Sequence, residues 1–388
     1  MKRIVVVGTG SRSALFLDEL VRRDDCELVA LCDRYPTRAA VAARQINRQD
    51  VPRFTELEEC LDSVECDAII NCTYDGEHAK TTIPALARGK FVYLEKPLDI
   101  TRENCQSIID ADRTAGGKTY VGFNLRHAPL YKKLKELIDE GILGKVLTIQ
   151  ADEFYSGGRT YFRRWNRLRE ISGGLWITKA CHDFDLLQWL AGRKPVSVAA
   201  FSHLTVYRPT HDYPLYCSDC DIIDTCPDAF KENRVDGRSL ELIKGAVQDG
   251  MTRPDLCLFN SDKDTLDHGV AIVDFESDIV ATYTLSVVAG FTNRRIRVGG
   301  TKATVDGDLN SQQLFIQYIN PRRTETITAS ETTDGHGGAD KYLLPDFFAF
   351  MDGTRKPLVT PEEAMISVVM GRAATESCDT GRLVQIAL

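Results

Sequence analysis

No run of apolar residues in this 388-residue chain approaches the roughly 20 needed to cross a bilayer as a helix, so a helical membrane protein is excluded. An apolar leader is missing too. The opening MKRIVVVGTG passes from two basic residues straight into a β-branched run and glycines, without a small-residue cleavage site, so a folded first strand in the cytoplasm is expected. Nor is there a basic stripe: 48 Lys and Arg are scattered among 56 Asp and Glu, for a net charge of -8, which argues against a nucleic-acid partner. There is no internal repeat and no low-complexity linker. Cysteine, by contrast, is plentiful at 12 residues. In a long cytoplasmic chain the reducing environment favours free thiols or metal ligands over disulfides. Most of these cysteines, such as Cys72 in DAIINCT, lie in apolar strand-like runs and read as small core residues.

The length exceeds what one core usually supports, so two packed domains are expected. Up to Asn124, short apolar runs (RIVVV, ELVALCD, DAIINCT, FVYLE, TYVGF) alternate with amphipathic stretches such as Ala14 to Arg22 and His78 to Arg88. That is the pattern of βα units, and it predicts an N-terminal α/β domain of the Rossmann kind, a doubly wound parallel sheet, over 1–124. After Asn124 a helical segment (Leu130 to Glu140) precedes runs of period two: VLTIQADEF, VSVAAF, GVAIVDFES, DIVATYTLS. These predict a C-terminal α+β domain over 125–388 with a large, open, mainly antiparallel sheet. Helices return at Ala339 to Met351 and from Pro361, behind a threonine cap. The polar stretch at about 209–264 reads as an insertion between strands.

Gly8 and Gly10, followed by Ser11, Arg12 and Ser13, stand between the first strand and a helix, where backbone must approach a pyrophosphate closely. Ser13 replaces the third glycine of the full pattern. The second strand ends in Asp33, where a carboxylate can accept hydrogen bonds from the adenosine ribose. The plainer alternative is a tight turn with Asp33 as a helix cap. Arg34 and Arg38 beside that acid leave NADP open, while the acid's position favours NAD. Thr73 after the fourth strand and His78 in the following helix are further candidates for the cofactor site, a helix-surface histidine being the alternative for His78. The fifth strand ends in Glu95, Lys96 and Pro97, at the sheet edge where doubly wound folds bind ligands. A lysine there can stabilise an alkoxide as hydride leaves; a surface ion pair is the bland alternative.

The combination of GTGSRS, EKP, GFNLR at Gly122 to Arg126, SGGLWITKACHDFDLLQWL from Ser172, HGGADKYLLPDFF and the closing TPEEA resembles the Gfo/Idh/MocA oxidoreductases over essentially the whole chain. The resemblance implies a Rossmann domain binding NAD(P), an α/β domain whose open sheet makes homodimers or homotetramers, Lys96 at the nicotinamide and substrate, and His182 as acid/base. It implies hydride transfer to or from a carbon of a sugar or polyol. Relatives acting as NAD-dependent glycoside hydrolases by transient oxidation and elimination, and non-catalytic NAD(P)-sensing regulators, are the rivals. Many members carry an aspartate four residues before the histidine, where this chain has Thr178. On one continuous helix Thr178 and Lys179 would lie a turn from His182, so Lys179 is a further catalytic candidate.

Tyr155, Tyr161, Arg163, Arg164 and Trp165 form a polar aromatic loop suited to a carbohydrate, or to solvent or a subunit contact. Asn124, Arg126, Arg164, Trp165, Thr178 and Asp183 are the candidate substrate contacts. Finally, Cys217 and Cys220, with two residues between them, and Cys226 and Cys257 beyond, offer four thiolates in a polar insertion: structural zinc is expected, with an iron-sulfur cluster or unligated thiols as alternatives.

Overall fold

The computed structural model describes residues 1–331 and 335–388. Six strands, β1 (Lys2–Val7), β2 (Cys26–Cys32), β3 (Arg53–Phe54), β4 (Ala68–Asn71), β5 (Phe91–Leu94) and β6 (Thr119–Val121), form a parallel sheet in the order β3-β2-β1-β4-β5-β6. Strand order reverses on either side of β1, and α1 (Ser13–Leu20) and α2 (Pro36–Gln45) cross over between the first strands. The expected doubly wound sheet is therefore present. The central strands are buried on both faces, as their unbroken apolar runs require.

Nine further strands build the second sheet: β7 (Val146–Phe154), β8 (Pro195–His203), β9 (His268–Phe275), β10 (Ile279–Ser286), β11 (Asn293–Gly300), β12 (Ala303–Asp308), β13 (Gln313–Tyr318), β14 (Arg323–Thr328) and β15 (Val384–Gln385). Their order is β14-β13-β12-β11-β7-β10-β9-β8-β15, antiparallel except where β10 runs parallel to β7. One face buries Ile149, Val198, Val273, Ala281 and Val298 against the helix Cys181–Ala191. The opposite face exposes Phe201, Val270, Ile272 and Val280. Segments from late in the chain finish the first sheet as well. Leu343, Leu344, Phe347 and Phe348 pack under β1 and β4, while Ala364, Met365 and Val368 of the helix Pro361–Thr380 pack on its other face. That helix starts with a capping box, Thr360 with Glu363. The cysteine-bearing insertion leaves after β8 and returns to β9, with one helix, Gly237–Gln248, inside it. Among the described residues no helix is long and apolar enough to cross a membrane.

Candidate active site

The turn after β1 is built for close approach. Gly8 has φ +82°, and a Cβ there would stand 2.6 Å from the Cys72 carbonyl oxygen, so a side chain is excluded. A Cβ on Gly10 would meet nothing within 4 Å, leaving open space at the start of α1. Ser13, in place of the third glycine, is buried and donates its hydroxyl to the Gly10 carbonyl at 2.7 Å, which satisfies it within the turn. Ser11 is exposed on the rim. This cradle fits a dinucleotide.

Asp33 is almost fully buried. Its Oδ2 accepts from the Thr9 amide (2.6 Å) and hydroxyl (2.7 Å), and its Oδ1 from the Tyr35 amide (2.9 Å). Arg38 grips both oxygens at 2.9 and 2.8 Å. Arg34 points elsewhere, over the Tyr74 ring at 5.2 Å and toward Glu77 at 3.5 Å. Arg12 spans Glu95 (2.7 Å) and Asp340 (3.3 Å) rather than reaching into the cradle. Thr73 turns back on Asn71. His78 is not on a helix surface: it is buried, with Nδ1 2.7 Å from the Pro97 carbonyl oxygen, so it braces the loop that follows Lys96.

Glu95 and Lys96 do not pair with each other. Glu95 faces Arg12, whereas half-buried Lys96 donates to the Thr178 carbonyl of the second domain at 3.0 Å. Burial lowers the Lys96 ammonium, but Cys181, Asp75, Tyr161 and Glu95 outweigh it and raise it overall. Buried Asp75 is pushed up to about 7 by desolvation against the pull of Lys96.

The expected convergence of Thr178, Lys179 and His182 on one continuous helix does not occur. The helix Leu175–Thr178 ends before the helix Cys181–Ala191 begins, and Lys179 lies in the break. The Thr178 hydroxyl accepts from Asn166 at 3.1 Å. Lys179 instead pairs with Glu153 at 2.7 Å and lies 4.1 Å over the Tyr155 ring. Glu153 also meets Arg294 at 2.6 Å, and Arg294 meets Asp183 at 3.1 Å, whose other oxygen accepts from the Tyr283 hydroxyl at 2.9 Å. Burial pushes Asp183 up to about 6 in spite of Arg294. His182 sits among these groups with its Nδ1 unpartnered among the described residues. Burial first, then the positive charges of Lys96 and Arg294, hold its imidazole well below the usual range, so the ring is neutral. The His336 ring lies tilted 5.8 Å away and bonds Asp340, which also takes the Asn124 amide at 2.7 Å.

Two substrate candidates are placed otherwise than expected. Arg126 is 1% exposed, forked onto Asp185 at 2.9 and 2.7 Å and bonded to the Leu358 carbonyl, so it is an internal strut. Trp165 stacks on Tyr74 at 4.7 Å, joining the loops of the two domains; Arg164 beside it is exposed. Asp75, Glu153, Arg294 and Asp340 were absent from the sequence candidates. Two of them carried a signal. Glu153 falls in the inward phase of β7 with Ile149 and Ala151, and Arg294 in that of β11 with Ile296 and Val298, and a charge in the buried phase of a strand needs a partner.

The insertion brings Cys217, Cys220, Cys226 and Cys257 to the wall of one cavity of about 290 Å³, with Ile222, Ile223 and Phe259. Cys217 Sγ accepts from the Phe230 amide at 3.4 Å and from Arg163 at 3.5 Å. The expected zinc tetrahedron is not formed: among the described residues no three His, Cys, Asp or Glu side chains gather as they would around one ion, although all four thiols line one cavity.

Residues 2–123 match the family model for the NAD-binding Rossmann fold of the Gfo/Idh/MocA oxidoreductases, and residues 135–386 match that for their C-terminal alpha/beta domain. The chain belongs to this family. It is similar to a Bacillus subtilis (strain 168) protein described as an oxidoreductase, YteT, at 29% identity over 97% of this chain and 96% of that one. It also resembles inositol 2-dehydrogenase of Rhizobium meliloti (strain 1021), at 28% identity over 58% of this chain and 65% of the relative. Among solved structures, levoglucosan dehydrogenase in complex with NADH and levoglucosan superposes over all of both chains with a TM-score of 0.77 at 16% identity, a likeness of fold. As a member of this family the chain is an NAD-binding oxidoreductase.

Proposed function

We propose that this Gfo/Idh/MocA protein oxidises a secondary hydroxyl of a sugar, polyol or sugar derivative, or reduces the matching ketone, with NAD(H) in preference to NADP(H). The observation that carries this reading is the meeting of Lys96, from the end of β5, with the Thr178–His182 segment of the other domain, its ammonium 3.0 Å from the Thr178 carbonyl. The bound nicotinamide supplies the hydride chemistry. The chain's own residues do the rest. Gly8 and Gly10 admit the pyrophosphate, and Asp33 faces the ribose. Neutral His182 takes the hydroxyl proton on its imidazole, and Lys96 holds the developing negative oxygen. Lys179, fixed by Glu153, and Asn124, Thr178, Asp183 and Arg164 orient the substrate. In this reading residues 1–124 serve the cofactor and 125–388 the substrate, in the cytoplasm, and the apolar face bearing Phe201, Val270 and Ile272 supports a homodimer or homotetramer.

For the insertion we propose that the four thiols close on a metal, zinc ahead of an iron-sulfur cluster, by adjustment of their loops. Their shared cavity and the two N–H bonds to Cys217 Sγ support it.

The deciding experiment screens inositols, hexoses, amino sugars and uronic acids by NADH and NADPH fluorescence. Net NADH from a polyol is the expected result. Cofactor retained through turnover without net NADH would identify a hydrolase, and cofactor binding without any turnover a regulator; either overturns the dehydrogenase reading.

A further inference from the structure

The insertion between β8 and β9 does not stay with its own domain. Its helix Gly237–Gln248 lies along α2, Leu242 enters the core with Val41 and Ala42, and a Cβ on Gly245 would stand 3.2 Å from the Arg38 Cα. Arg238 forks onto Asp18 at 2.7 and 2.9 Å. Just past this helix half-buried Asp249 turns inward: its Oδ2 accepts from the Thr37 amide and its Oδ1 from the Thr37 hydroxyl, both at 2.7 Å. Thr37 is the second residue of α2, next to the Arg38 that grips Asp33.

A 2'-phosphate on the adenosine ribose is ordinarily held in this place, by a guanidinium following β2 and by free amides of the first helical turn. Here both guanidinium groups and the Thr37 amide already have a carboxylate: Arg38 has Asp33, Arg34 has Glu77, and the Thr37 amide has Asp249. Two of these carboxylates, Asp33 and Glu77, belong to the first domain. The third is delivered by the second domain.

We propose that Asp249 of the insertion is a specificity-determining residue that excludes the 2'-phosphate of NADP(H). Its charge sits on the amide the phosphate would need, so a phosphate meets both a lost donor and a like charge. The proposal rests on the reading of the β1–α1 cradle as a dinucleotide site. It is tested by titrating NADH and NADPH against the wild type, Asp249→Asn, Asp249→Ser and, as a control, Glu241→Gln, an acid of the same insertion helix that meets Arg44 and Gln45 at the far end of α2. Asp249→Asn can keep a hydrogen bond to Thr37 while removing the charge, so α2 stays capped. Expected is a gain of about tenfold in NADPH affinity in both Asp249 variants, worth about 1.4 kcal/mol, with NADH affinity and Glu241→Gln nearly unchanged. Unchanged NADPH affinity, or an equal loss of both cofactors, overturns the proposal and makes Asp249 a cap of α2 only. A wild type that prefers NADPH overturns it as well. A wild type that binds neither dinucleotide overturns the cofactor reading beneath it.

Discussion

The cleft between the domains and the cavity of the insertion each gather side chains from distant parts of the chain, under opposite conditions. In the cleft buried charge is answered in place: Lys179 and Arg294 share Glu153, Arg294 also holds Asp183, and Asp340 takes Arg12, Asn124 and His336. In the cavity four thiols line a largely apolar wall, and among the described residues only Cys217 has N–H donors. Charge taken from water must be paired where it stands, whereas the weakly polar sulfur of a cysteine carries little such penalty and can be left without a partner. Lys96 and His182 are therefore held among charges that already have partners, whereas nothing among the described residues draws the four cysteines together.

The largest effect should come from breaking the pairing in the cleft. Glu153→Ala leaves Lys179 and Arg294 without their shared counter-charge and should cost on the order of 3–5 kcal/mol of stability in denaturant unfolding. A loss below about 1 kcal/mol would mean the two cations are answered by solvent, and the contrast with the cavity would fail.

Chemistry comes next. Lys96→Ala and His182→Ala should each lose on the order of 100-fold in kcat while cofactor titrations stay near wild type. Near-normal turnover in His182→Ala would remove it from proton transfer and leave Lys179, pinned to Glu153, as the remaining candidate.

For the cavity, metal analysis of protein purified under reducing conditions should find about one zinc per chain, released when Cys217 and Cys220 are both replaced by Ser, with the insertion then cut faster by protease. A metal-free wild type whose proteolysis is unaffected by the double replacement would make the four cysteines ordinary thiols.

The smallest effect sharpens the cleft alone. Because burial raises folded Asp75 to about 7, the folded state holds that proton more tightly than the unfolded one; the stability this contributes is full below about pH 4 and is lost as pH rises toward 7. Asp75→Asn should therefore raise the melting temperature at about pH 8 by a few degrees and change it little at about pH 4. Equal shifts at both values would show that Asp75 ionises normally.

What could be read from the sequence was whatever is local. The glycine turn, the acid ending β2, EKP and the capped helix at Thr360 are each specified within a few residues, and the strand runs gave both sheets. The partners of Lys179 and His182 were not local. Glu153 and Arg294 left a trace, as charges in the inward phase of their strands. Asp249 and Asp340 left none, because a carboxylate in a polar stretch looks the same whether it meets solvent or a helix end far away in sequence. Arg126 misled for a related reason: motif position brought it near the site, and only packing shows its guanidinium turned onto Asp185.

The helix Pro361–Thr380 has one more effect, on the order of events during synthesis. Ala364, Met365 and Val368 belong to the core of the first sheet, while Met370, Ala373 and Ala374 belong to that of the second. Although β1 to β6 leave the ribosome first, with Leu61, Ala85 and Ile108 of their own crossovers on one face, the core on that face is completed only when this helix emerges. A nascent chain of this protein thus carries two unfinished cores through most of translation, and both are completed by one helix at nearly the same moment.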